Sequence, residues 1–203
     1  MSAQEVIDKL KLIPHPEGGF YKETYRSDHT IVNEKKENRH VCTAIYYLLE
    51  DEDRSLFHRI RSDELWFFHL GQPLEIVLIQ GGHVTTIILG NDIEKGEQLQ
   101  AMIPANTWFA AHIKNANGFS LVSCTVSPGF DFADFELAKT ADLVKQFPDL
   151  KDVIEKRMKV GIKVPEWLEL DKKDRFGRVL RLPVRADIQV PIEEHLIVEL
   201  YSK

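Results

Sequence analysis

Apolar positions along the first 158 residues change period twice. Val6, Ile7, Leu10 and Ile13 recur at helical spacing, and Ser2 with Glu5 has the form of a capping box, so a short helix is expected at the start. PHPEGGFYKETYRS follows, where Pro14 and Pro16 bar a helix and Gly18-Gly19 allow a tight bend into an extended segment. From about residue 41 to 126 the period shortens to two. VCTAIYYLL, SLFHRI, ELWFFHL, EIVLI, VTTIIL, QAMI and FSLVSCTV are rich in β-branched and aromatic residues, with turn signals between them. IVLIQGGHVTTII reads as a hairpin turning at Gly81-Gly82. Many short strands without intervening helices predict an antiparallel sandwich or barrel. Helical spacing returns near residue 140, and LKDVIEKRM predicts a helix capped by Asp149, with Leu150, Val153, Ile154 and Met158 as its buried stripe. VGIKVPEWLEL then opens a compositionally different tail, which divides the chain into a body over 1–158 and a tail over 159–203. Within the tail HLIVELY alternates like one more strand, expected to pack on the barrel or across a dimer.

Composition narrows the class. With 203 residues, 43% apolar and 29% charged, the chain suits one well-buried domain, or one domain with an appendage. No apolar run approaches the ~20 residues that cross a bilayer, so no membrane partner is expected. MSAQEVIDKLKL lacks the basic and apolar regions of a secretory signal, and a cytoplasmic location is expected. Cys42 and Cys124 are isolated in apolar stretches and read as reduced core thiols, neither a disulfide scaffold nor a zinc site. Residues 1–158 carry 17 Lys and Arg against 24 Asp and Glu, and 159–203 carry 9 against 8. A body at −7 is poorly suited to clamping phosphates, so nucleic acid is not an expected partner of it.

Two segments resemble the paired motifs of the cupin superfamily. HRIRSDELWFFHLG matches the first motif at His58, Glu64 and Gly71; IPANTWF matches the second at Pro104, with Asn106 where glycine is usual and Phe109 where histidine is usual. TVSPGFDFADFELA and LIPHPEGGFYKETYRS are more selective, and resemble the uncharacterised cupin family described as predicted sugar epimerases, over about residues 5–158. The resemblance implies an all-β fold, a cupin-type double-stranded β-helix (jelly-roll barrel) carrying a short N-terminal helix and C-terminal helices. It also implies a homodimer and kinship with keto-sugar 3,5-epimerases. VPEWLELD and IEEHLIVELYSK separately resemble the C-terminal end of a bacterial small-subunit ribosomal protein that binds 16S rRNA, without its basic RNA-binding domain. At a charge of +1 this tail has little electrostatic grip on RNA, so ribosome binding is not expected.

Metal-binding cupins join two histidines and a glutamate of the first motif to a histidine of the second. Here Ile60 and Phe109 stand at two of those four positions, leaving His58 and Glu64. Two protein ligands make a weak divalent site, so no metal or other cofactor is expected to be tightly held. His69 and His112 fall on the opposite strand face unless a bulge turns them.

His58 and Glu64 leave three readings open: a residual metal site, an acid–base pair, or a polar contact inside an inert barrel. Glu64, Trp66 and Phe68 share one strand face, and Trp108 and Phe109 would add to an aromatic wall around a small-molecule pocket. One candidate function is a metal-independent epimerase or isomerase of a sugar-like carbonyl compound. His58 would be the base, Glu64 or Asp63 its orienting carboxylate, and Tyr46 the acid, with Tyr47 facing away. Arg59, Arg61, Arg26 and Lys22 are the candidate grips on a diphosphate. The alternative is a barrel that binds a small ligand, with Trp66, Phe68, Trp108, Phe109 and Arg59 around it, and turns nothing over. Phe130, Phe132 and Phe135 would close one barrel mouth, with Asp131 and Asp134 capping turns.

Overall fold

The structure, a computed structural model, describes residues 1–33, 35–51, 53–114, 118–159, 167–171, 176–182 and 184. The chain divides into two compact units, Met1–Gly161 and Ile162–Lys203.

The first unit opens with α1 (Ala3–Leu10), whose start carries both halves of the Ser2–Glu5 capping box. Lys11 ends it in the left-handed conformation, φ 55°, and this reverses the chain so that Leu12, not Ile13, joins Val6 and Ile7 in the core. Among the described residues thirteen strands follow: β1 (Ile13–Pro14), β2 (Phe20–Arg26), β3 (Thr30–Val32), β4 (Asn38–His40), β5 (Thr43–Glu50), β6 (Arg54–Ile60), β7 (Asp63–Gly71), β8 (Leu74–Gln80), β9 (His83–Leu89), β10 (Gln100–Ile103), β11 (Trp108–Ile113), β12 (Phe119–Ser127) and β13 (Phe135–Leu137). A six-stranded sheet has the order β1-β2-β5-β12-β7-β10, and a five-stranded sheet the order β13-β6-β11-β8-β9. Every pairing within them is antiparallel. This is the all-β cupin jelly roll. β8 and β9 turn at Gly81-Gly82, both at positive φ as a two-residue hairpin requires.

Burial sorts into layers, and the layers decide which side chains reach the interior. Between the sheets lie Tyr47, Trp66, Leu78, Phe109, Val122 and Cys124. The outer face of the six-stranded sheet packs Leu48 and Leu121 against Val6 and Ile7 of α1. The outer face of the five-stranded sheet packs Phe57, Val77 and Trp108 under α2 (Thr140–Gln146) and α3 (Lys151–Met158). Because strand neighbours point to opposite faces, each inward residue has an outward partner: Tyr47 with Tyr46, Phe109 with Trp108, His58 with Phe57. The stripe expected over LKDVIEKRM packs as the pattern requires, with Ile154 fully buried. Asp149 does not cap it; Pro148–Leu150 form a 3₁₀ turn and α3 starts from Leu150 without a side-chain cap.

In the second unit β14 (Leu168–Asp171) and β15 (Phe176–Val179) pair as an antiparallel hairpin. The strand expected over HLIVELY lies outside the described residues.

Candidate active site in the barrel cavity

A cavity of about 400 Å³ opens between the two sheets. His15, Glu17, His58 and Glu64 meet there, walled by Tyr21, Ile45, Ile60, Cys124 and Val126, with Phe130, Phe132 and Phe135 at one side. Glu17, His58 and Glu64 are 7%, 4% and 7% exposed, so three ionisable groups are almost removed from water.

Glu17 reaches the site through the His15–Gly19 turn, closed by Gly18 N–H to the His15 carbonyl and His15 N–H to the Gly19 carbonyl. Gly18 sits at φ 112°, and a Cβ there would lie 2.3 Å from the Arg54 carbonyl oxygen; at Gly19, φ 72°, it would lie 2.5 Å from that of Leu48. Only glycines let this turn press onto β5 and β6, and that approach delivers Glu17 to His58. Ser55 Oγ donates to Glu17 Oε1 at 3.0 Å. Glu17 Oε2 lies 3.0 Å from His58 Nδ1 outside hydrogen-bond geometry, and has no other partner among the described residues.

The His58 tautomer follows from its neighbours. Nδ1 lies 2.8 Å from the Leu56 carbonyl, which only accepts, so Nδ1 carries the proton and Nε2 is the basic nitrogen. His15 is the reverse: its Nδ1 accepts from the Glu17 backbone N–H at 3.3 Å, leaving Nε2–H as a donor. Burial lowers both histidines below their usual 6.5. Burial also raises Glu17 to about 7, against the opposing pull of His15, and raises Glu64 to about 7, against that of His58. Near neutral pH the cavity therefore holds an unprotonated imidazole beside carboxyl groups about half of which still carry their protons.

The predicted residues fall in different places. His58 and Glu64 both line the cavity, but the carboxyl beside the His58 ring nitrogen is Glu17, not Glu64 or Asp63. Asp63 instead accepts from the Ala105 N–H at 2.8 Å. Tyr46 does not face His58. It packs on the outer side with α1 and against His69, while Tyr47 points inward and donates to the Gly18 carbonyl at 2.7 Å. Trp66 and Phe68 turn inward but pack in the core away from the cavity lining. Phe109 is fully buried, its ring 4.1 Å from that of His58. Trp108 lies on the other face of the sheet, covered by the Arg59 guanidinium at 4.4 Å. Arg59 also pairs with Glu136, outside the cavity. The aromatic side of the cavity is instead the Phe130–Phe132–Phe135 cluster. Asp131 caps its turn by accepting from the Ala133 N–H, whereas Asp134 is drawn to Arg39 and Arg61.

His15, Glu17 and Tyr21 had no role assigned from sequence, although HPEGG was visible as a motif. The signal available was a histidine and a glutamate beside glycines too close together for an ordinary strand.

A cupin metal centre does not fit these residues. Ile60 shares the inward face with His58, and Phe109 stands opposite His58 in register on β11, so apolar side chains fill two ligand positions. His69 bonds Ser123 Oγ and His112 packs with Arg157 and Glu75, both away from the cavity. Among the described residues no three His, Cys, Asp or Glu are grouped to hold a metal ion.

Comparison with known proteins settles the lineage. Residues 4–138 match the Cupin_5 family, described as Cupin superfamily (DUF985). The chain belongs to this family. The cupin is 33% identical over 159 residues to an uncharacterized protein of Saccharomyces cerevisiae, covering 71% of this chain and 79% of the yeast protein. A hypothetical protein from Leishmania major aligns at TM-score 0.73 and 37% identity, covering 77% of the cupin and 98% of that chain. A protein from Shewanella oneidensis aligns at 0.72 and 39%, covering 79% and 99%. Part of the cupin chain also matches small ribosomal subunit protein uS4, with 62% identity over 40 residues in Desulfosudis oleivorans, 20% of this chain and 19% of that protein. The chain thus spans about a fifth of that ribosomal relative's length. Among the described residues no helix is long and apolar enough to cross a membrane.

Proposed function

We propose that the barrel is a metal-independent proton-transfer site that enolises a small sugar-like carbonyl compound, in the manner of an epimerase or isomerase. One observation carries the reading: a basic His58 on the five-stranded sheet shares the cavity with Glu64 and Tyr21, which the six-stranded sheet supplies. Epimerisation needs a base and an acid approaching the substrate from different sides, and two facing sheets supply them.

His58 Nε2 removes the proton α to the carbonyl, and the imidazolium that forms lies beside the Glu17 carboxyl. Protonated Glu64 donates a hydrogen bond to the oxygen as negative charge develops there. Tyr21, on the strand beside β5, takes the part first given to Tyr46 and returns a proton to the carbon, after which the imidazolium gives its proton to water and the phenolate takes one back, closing the cycle. The three phenyl rings also suit a barrel that holds its ligand without turnover, and the same experiment separates the two. Small ketoses are incubated with the protein in deuterium oxide, and loss of the α-proton signal is followed by NMR. Exchange is expected, falling by at least about 100-fold in His58→Ala, the lower end for loss of a general base. Ligand binding without exchange in the native protein would leave a binding barrel.

A further inference from the structure

The sequence offered four cations to grip a diphosphate, and the structure commits each of them elsewhere. Arg59 pairs with Glu136 and covers Trp108, Arg61 pairs with Asp134, and Lys22 Nζ donates to the Leu10 carbonyl. Arg26 alone of the four lines the cavity, and its guanidinium is held by Glu23 at 2.6 and 2.9 Å and by the Phe130 carbonyl at 3.2 Å. Four carboxyl side chains line the same space: Glu17, Glu23, Glu64 and Asp131. Only Glu23 of these has a cationic side chain bonded to it within the cavity, so no described lining cation is left unpaired to meet an anion, and above about pH 7 ionised Glu17 and Glu64 give the lining a net negative charge.

We propose that the cavity selects uncharged or cationic ligands and turns away phosphorylated, carboxylated and nucleotide-linked ones. This narrows the substrate class and rests on the cavity being the binding site. A sugar phosphate entering would bury its dianion with no unpaired guanidinium to meet it, and at pH 8 would also face the Glu17 and Glu64 carboxylates, in a cleft whose apolar walls intensify the field. Clefts lined by one sign of charge change local ligand concentration by about 10- to 1,000-fold. A free ketose or polyol meets no such opposition, and the His15 donor and His58 acceptor suit its hydroxyl and carbonyl groups.

Cys124 lines the cavity and gives a readout independent of any substrate. In a Cys42→Ser background its alkylation at pH 8 is compared between iodoacetamide, which is neutral, and iodoacetate, which is anionic, with each rate normalised to a small free thiol. Iodoacetate is expected to be disfavoured by at least about tenfold, and the penalty to shrink in Glu23→Gln/Asp131→Asn. Equal normalised rates would overturn the proposal; burial pushes the Cys124 thiol well above its usual value, so if neither reagent reacts the sugar comparison decides. D-fructose and D-fructose 6-phosphate are compared in parallel by ligand-observed NMR, with the unphosphorylated sugar expected to bind more tightly. Tighter binding of the phosphate overturns the charge rule. If neither sugar binds while the alkylation penalty stands, the carbonyl-substrate reading fails and the charge rule survives.

Discussion

Replacing Glu64 by glutamine tests the electrostatics of the cavity through folding stability. The native carboxyl titrates at about 7 instead of 4.5, because burial disfavours its charged form. Between those values the folded protein holds a proton that the unfolded chain has released, so this group makes stability fall as pH rises from 4.5 to 7. At pH 8 the full cost is present, about 3 kcal/mol for a shift of this size. Glutamine keeps the shape and an acceptor oxygen but never ionises. Glu64→Gln should therefore be more stable than the native protein at pH 8, by up to about 3 kcal/mol, and close to it at pH 5. Burial-lowered His15 and His58 act oppositely, withdrawing stability as pH falls below 6.5, which is why the two proteins are compared at each pH. The assay is urea unfolding, with midpoints and slopes measured at both values. A difference between the proteins that does not change with pH, or a variant weaker at pH 8 than at pH 5 relative to native, would refute the reasoning.

Tyr21→Phe is expected to lower conversion to the epimer by about 10²-fold or more while α-proton exchange through His58 persists, and Tyr46→Phe to leave both within about twofold, as kinetic NMR on both variants would show. Gly18→Ala forces a Cβ onto the Arg54 carbonyl at positive φ, and should destabilise the barrel by about 1–3 kcal/mol in denaturant unfolding while costing activity through displaced Glu17.

The interior face of each strand was legible wherever one side alone is apolar. SLFHRI and ELWFFHL are partly apolar on both faces, through Phe57, Leu65 and Phe67, and alternation together with the cupin motif places His58 and Glu64 inward. VCTAIYYLL carries no such phase information. One face of β5 packs the barrel interior and the other packs α1, so Tyr46 and Tyr47 both find apolar surroundings and the wrong tyrosine was put inward. Trp108 and Phe109 are strand neighbours and cannot share a wall, a conflict that alternation alone exposes. Asn106 sits at φ 60°, which explains why asparagine stands where cupins carry glycine: it is among the few residues that tolerate that conformation. Glu17 was hidden for a different reason. It lies 38 residues before Ser55, its hydrogen-bond partner, and only the pairing of β2 with β5 closes that distance.

The most direct measurement is a carbon-13 NMR titration of the protein labelled at glutamate side-chain carboxyls, with Glu17 and Glu64 assigned from their glutamine variants. A neutral acid and a neutral base coexisting in the cavity requires both carboxyls to titrate near 7. Midpoints near 4.5 for both would mean a cavity of permanent carboxylates, and would contradict a protonated Glu64 donating to the substrate oxygen while His58 acts as the base.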